Sequence, residues 1–413
     1  MEFRDLSGGL NTLQESYAIK DTQCVDCLDV DFSTPGVLKS RKGSKRANQT
    51  TAGAAILGFH EFVRENPAAS PARLYIAKIG TDLKLFTIAS DDSITIGATL
   101  VGSLVADFKP WFITFEDKAI ILDKTANYVY DGTDITALGR DAPVTTAITL
   151  SDAGVAGALV VGGSYSYQFT FYSTALDIES QRSDSVSHTL GAGQNQIVIG
   201  FPHWVRAELD TVWDKIRIYR TQGGGTELLL HPDTATGATA TYTDGTADGS
   251  LATAAADSGL IKLPGARAGI EYLGRIFFVP ESEPTRVYYT EVGYAERVKY
   301  SSTLRVGEQD GEHILGFVKT HGRLYAIKPS SLQLLVGDTD TTFQWMEYEG
   351  AMGGEAGRGA VVYGGVAYVY NSRVGVYRFL GSGVHRVGSR IRDFVQSLEN
   401  SASAENFVAG YEP

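Results

Sequence analysis

Cysteine is almost missing from this chain: two of 413 residues, Cys24 and Cys27. They form one CxxC with no second pair, which excludes a disulfide framework and gives little support to zinc or redox chemistry. The expectation is two reduced structural thiols. Methionine (3) and tryptophan (4) are scarce too, and no apolar run approaches the ~20 residues of a membrane span. The opening Met1-Glu2-Phe3-Arg4-Asp5-Leu6 lacks the apolar core of a secretion signal, so synthesis in the cytoplasm without stable membrane insertion is expected. Positive charge is also short. Against 48 Asp and Glu stand 36 Lys and Arg, a net −12, which argues against gripping nucleic acid by bulk charge.

Catalytic signatures are equally thin. The Gly-rich stretch Gly350–Gly359 lacks the GK[ST] ending of a phosphate cradle and reads as a flexible loop or subunit contact. No GxSxG elbow is present, and the seven histidines show no HExxH or i, i+4 pairing. Glu281, Glu283, Glu291 and Glu296 could supply a carboxylate pair for glycoside hydrolysis, by proximity alone. The reading is therefore a non-enzyme with no catalytic residue, no cofactor and no metal.

What is abundant is glycine (46) and aromatic residues (10%), the composition of many short strands and tight turns. Five times a short apolar run is followed by a polar turn and a second aromatic strand. The runs are Arg73–Ala77, Lys118–Leu122, Arg275–Val279, Arg323–Ile327 and Val366–Tyr370. Their start-to-start spacings of 45, 48 and 43 residues match four-stranded propeller blades of about 40 to 50. Continuous apolar runs suit strands covered on both faces. An antiparallel sandwich with evenly spaced hairpins would give a similar pattern.

One interval, 157 residues between Lys118 and Arg275, is about three blade lengths and marks an insertion. Within it, Ser164–Tyr172, Gln196–Ile199 and Trp213–Thr221 alternate cleanly, as in an immunoglobulin- or fibronectin-like sandwich. The expected organisation is an N-terminal hairpin segment (1–50), a first propeller part (51–140), an inserted sandwich (141–265), a second propeller part (266–388), and a C-terminal helix with a closing strand (389–413). That last strand either completes a blade begun near the N-terminus or opens one that continues beyond Pro413. The fold class is all-β, an irregular β-propeller interrupted by a β-sandwich. The insert carries 13 acids against 6 bases, more than half of the net charge, whereas residues 1–50 balance seven against seven.

That neutral first segment nevertheless holds the densest basic cluster, Lys39, Arg41, Lys42, Lys45 and Arg46, beyond a hairpin expected at Pro35-Gly36. It serves either as a solvated edge that discourages strand pairing or as a docking site for an acidic protein or DNA phosphates.

Gly8-Gly9-Leu10-Asn11, Asp29-Val30-Asp31-Phe32, Gly36-Val37-Leu38 and Arg41-Lys42-Gly43 together resemble the start of short-tailed phage nozzle proteins, the tail tubular protein B or hub-like family. Trp213–Thr221 resembles a strand of their inserted sandwich. Gly274–Phe278 through Arg286–Glu291, Ile314–Phe317, and Arg323–Tyr325 to Leu335–Gly337 resemble their blade hairpins. Asp29 stands where that family's pattern has Asn. The resemblance implies a virion tail protein forming a homohexameric ring below the portal and adaptor rings, contacting tail fibre or tip proteins. Such a ring would retain packaged DNA and conduct it during ejection, touching the genome transiently and without sequence preference. The alternative from another class is a propeller that binds or cleaves carbohydrate.

Overall fold

The computed structural model describes residues 53–387 except 65–72, 89–93, 255–256, 308–309, 349–351, 372–374 and 380–383. It also describes the backbone of four two-residue strands, Gly9–Leu10, Gln23–Cys24, Val30–Asp31 and Lys39–Ser40. The chain is an all-β protein whose body is a β-propeller interrupted by a β-sandwich. Five sheets each contain four strands in consecutive antiparallel order, the meander of a propeller blade. The first blade runs Ile56–Val63, Arg73–Ile79, Asp82–Ile88 and Ile94–Val101. The second comprises Trp111–Phe115, Lys118–Leu122, Asn127–Tyr130 and Ile135–Ala137. The third follows the insert, from Ala266–Tyr272 to Val298–Arg305. The fourth spans Gly316–Thr320 to Gln344–Glu347, and the fifth Ala360–Tyr363 to Val384–Arg386.

The recurrent apolar runs are the second strands of these blades, each paired antiparallel to the aromatic strand after it. Their lack of alternation has a direct cause. Successive side chains on a strand point to opposite faces, and here both faces meet a neighbouring blade. In Lys118–Leu122, Ala119 and Ile121 pack toward the first blade, while Ile120 and Leu122 pack toward the third. Ile276 and Phe278 pack toward the second blade, and Phe277 and Val279 toward the fourth. Leu324 and Ala326 then face the third blade, with Tyr325 and Ile327 facing the fifth. Each large side chain buried this way contributes about 1.5–3 kcal/mol relative to exposure.

Charged side chains reinforce the stacking at equivalent places. The cation opening the second strand reaches the next blade's last turn: Lys118 pairs with Glu296, and Arg275 with Asp340 at 2.5 Å. The residue closing the second strand is buried. Lys78 there sits 3.3 Å from Asp123, its equivalent in the second blade, and Lys328 donates to the Val306 carbonyl at 3.1 Å and pairs with Asp310. Asn371 donates to Gly353 O at 2.9 Å.

The insert leaves the body between the second and third blades. Its two connections run side by side at Gly139, whose φ of 77° and crowding against the Ile261 carbonyl leave no room for a Cβ. Asn127 ties the return, donating to Pro264 O at 3.0 Å and accepting from Ala266 N at 2.9 Å. Beyond this neck a three-stranded sheet (Thr149–Gly154, Gln196–Gly200, Thr241–Asp244) faces a second sheet built on Ser164–Ser173, Lys215–Thr221 and Leu228–Ala235. Tyr165, Tyr167, Phe169 and Phe171 point inward with Ile197, Ile199, Ile216, Ile218 and Trp213, forming one core.

Among the described residues no hydrophobic core joins the fifth blade to the first. The outward face of the first blade keeps Phe59 and Val63 at 50% and 43% exposure, and Tyr363 on the fifth is 51% exposed.

Candidate functional site

Of the basic cluster, Lys39 lies in a strand paired antiparallel with Val30–Asp31, in the register Asp31↔Lys39, as a hairpin around Pro35-Gly36 requires. Arg41, Lys42, Lys45 and Arg46 lie outside the described residues, as do Cys27 and the segment 388–413 expected to hold a helix and closing strand. Cys24 is in the two-residue strand Gln23–Cys24, parallel to Gly9–Leu10.

The four glutamates are each engaged by cations of their own surroundings. Glu281 lies 3.6 Å from both Lys124 and Arg267, and Glu283 lies 3.4 Å from Arg286. Glu291 meets Arg297 and Lys299, and Glu296, almost wholly buried, meets Lys118. Three histidines have similarly local partners: His60 stacks on Phe112, while His188 and His231 bond Asp152 and Asp244. No group of three or more His, Cys, Asp or Glu among the described residues is placed to hold a metal, and no described helix is long and apolar enough to cross a membrane.

The Gly-rich stretch joins the fourth and fifth blades, yet its described part is not a loose loop. Gly357 packs so tightly on the Leu315 carbonyl and Gly316 that any side chain would collide with backbone. Glycine serves close approach there, and it brings the following Arg358 to the axis of the body. The first strands of successive blades are neighbours around that axis, so their starts gather at one mouth, together with the turns that follow the second strands.

The mouth encloses a cavity of about 130 Å³. Lys109, Lys124, Arg267 and Arg358 line it, with Asp107, Glu355 and the ring of Trp111. Arg358 crosses to the loop that leads into the second blade. Its Nη2 donates to the carbonyls of Lys109 and Pro110, both at 2.6 Å, and its guanidinium lies 4.8 Å from the Trp111 ring centroid. From the first blade, buried Lys78 donates to the Phe108 carbonyl at 2.7 Å and to that of Val105. Two cations therefore hold four carbonyls of a single loop. Lys78 has a counter-ion in Asp123, whereas Arg358 has no carboxylate at ion-pair distance among the described residues. Burial without a counter-ion depresses the Arg358 guanidinium to about 10.

A second buried charge cluster lies inside the insert. Arg220 Nε is 2.8 Å from Asp244 Oδ2 and Nη1 is 2.6 Å from Asp248. Tyr167 donates to Asp244 at 2.6 Å, and His231 lies 3.2 Å from its other oxygen. Burial alone would raise Asp244, but the bonds from His231, Arg220 and Tyr167 outweigh it and hold the carboxyl below its usual range. Arg220, Asp244 and His231 are buried in this network and Asp248 reaches it from the partly exposed edge, which suits a structural role.

No family model matches the chain, and no curated protein matches it. Similar solved structures include apo AztD from Citrobacter koseri, 12% identical over 79% of this chain and 73% of that one, with a TM-score of 0.29. YCF48 bound to D1 peptide is 10% identical over 81% of each chain, at a TM-score of 0.27. Kluyveromyces lactis Hsv2 is 9% identical over 78% of this chain and 73% of that one, at 0.24. The fold assignment rests on strand order and the shared cores between blades.

Proposed function

We propose that this chain is the protomer of a tail nozzle ring in a short-tailed phage, retaining packaged DNA and conducting it during ejection. The observation that carries this reading is the β-propeller body interrupted between its second and third blades by a β-sandwich, the arrangement the resemblance implies. Phe59 and Val63, on the face of the first blade turned away from the second, add part-exposed apolar surface beside the buried Ala77, Ile79 and Phe86. The nozzle-like motifs between Gly8 and Gly43 support the same assignment. An acidic surface, with its excess concentrated in the insert, offers passing DNA few phosphate-binding stops. Cleavage of carbohydrate finds less support, since Glu281, Glu283, Glu291 and Glu296 are each neutralised by a nearby cation.

Electron cryomicroscopy of purified particles tests the proposal. A ring of this chain on the tail axis below the portal is the expected density. Its absence from the tail, or a monomer in solution that stays monomeric beside the assembled portal and adaptor, would reject it.

A further inference from the structure

We propose that the mouth at the body's axis binds a single phosphate-class oxyanion between Arg358, Lys109 and Arg267. This goes beyond the ring assignment and does not depend on it.

Four cations line the cavity against Asp107, Glu355 and the bridging Glu281, an excess of one positive charge in a confined space. Two of the four are not neutralised. Lys109 has no carboxylate at ion-pair distance among the described residues, and Arg358 meets only carbonyl oxygens, which are dipoles and not counter-ions. Both of Arg358's hydrogen bonds leave from Nη2, so its other guanidinium donors remain unspent. A partly buried guanidinium held by two carbonyls 4.8 Å from the Trp111 ring centroid is pre-positioned for the two-pronged bond that carboxylate and phosphate oxygens accept. Size limits the ligand. At about 130 Å³ the cavity is well below the ~300 Å³ at which drug-sized sites begin and has room for one oxyanion group. The tight packing of Gly357 on Leu315 and the four carbonyls fixed by Lys78 and Arg358 make the cavity rigid before any ligand arrives.

The test is isothermal titration of the full chain with inorganic phosphate, paired with thermal unfolding in phosphate and in sodium chloride at equal ionic strength. One saturable site and a Tm that climbs with phosphate concentration are expected. Sodium acetate serves as a parallel arm: a response to phosphate alone identifies a dianion site, a response to both an oxyanion site of either charge, and each supports the proposal. Lys109→Gln is expected to weaken phosphate binding roughly tenfold while leaving the unliganded Tm unchanged. Arg358→Gln is expected to abolish binding. Because that variant also loses two structural bonds, Arg267→Gln supplies a second independent measure. Equal Tm in phosphate and chloride, or wild-type titration by both Lys109→Gln and Arg267→Gln, would overturn the assignment.

Discussion

In the third blade, Ile276 and Phe278 face one neighbour while Phe277 and Val279 face the other; in the insert, Tyr165, Tyr167, Phe169 and Phe171 all face a single core. Four hydrophobic clusters of the body are each shared by two blades, and only the small group Ala77, Ile79 and Phe86 lies within the first blade alone, so the stability of one sheet is largely lent by the next, as in other stacked repeats. The insert closes its own core and meets the body at the neck of Gly139 and Asn127 and again where Arg297 of the third blade donates to the Leu176 carbonyl at 3.1 Å. Their charges follow the same division. Lys118–Glu296 and Arg275–Asp340 run from blade to blade, whereas Arg220, Asp244, Asp248 and His231 satisfy one another inside the sandwich.

Calorimetry of the full chain should accordingly resolve two unfolding units, and substitutions can separate them. The largest effect is expected from Asp244→Ala, which takes one of buried Arg220's two carboxylates and the partner of Tyr167 and His231, and should cost the insert about 3–5 kcal/mol. The body's transition should stay in place; a joint shift would mean that the two regions are one cooperative unit. Phe278→Ala should cost a similar ~3–5 kcal/mol, this time in the body, because the cavity opens in a core shared by the second and third blades. Lys118→Met leaves buried Glu296 without its cation and should destabilise the body by about 1–3 kcal/mol. Urea unfolding followed through tryptophan fluorescence reports both.

Acid offers the gentlest discrimination. Burial against Phe112 lowers the His60 imidazole below its ordinary value, despite the opposing pull of Glu61. The fold thus favours neutral His60, and its contribution, present above the unfolded pKa of about 6.5, is lost as pH falls through the lower folded value. Asp244 is also depressed, so its contribution is present above about 3.9 and disappears only in stronger acid. The body should weaken first on acidification, and His60→Gln should remove that early loss without moving the insert's later one.

The sequence showed the hairpins at the middle of each blade because burial on both faces writes four or five apolar residues in a row. It showed the sandwich because burial on one face writes alternation, as in Ser164–Tyr172. The first strands of the blades were harder to see: Gly316–Thr320 carries Gly, Lys and Thr, and Ala360–Tyr363 is only four residues long. The axial mouth was not legible at all, since Lys109, Lys124, Arg267 and Arg358 come from four separate places along the chain. A signal was nonetheless present. Lys78, Asp123, Lys328 and Asn371 each end one of the apolar runs with a polar residue, and a buried polar residue at a repeated position marks a shared bonding task. Gly357 misled for the opposite reason: glycine in a run suggests freedom, and here it permits contact with backbone.

Arg358 also has a consequence in time. The carbonyls it holds lie 248 and 249 residues earlier in the chain. At about 5–20 residues per second, synthesis leaves the loop at Lys109 without that guanidinium for on the order of 10–50 s. The whole insert emerges within that interval and can close its own core, while the body must wait for a residue made long after those it secures. A ribosome stalled before Arg358 would then carry a finished sandwich on a body whose axis is still open.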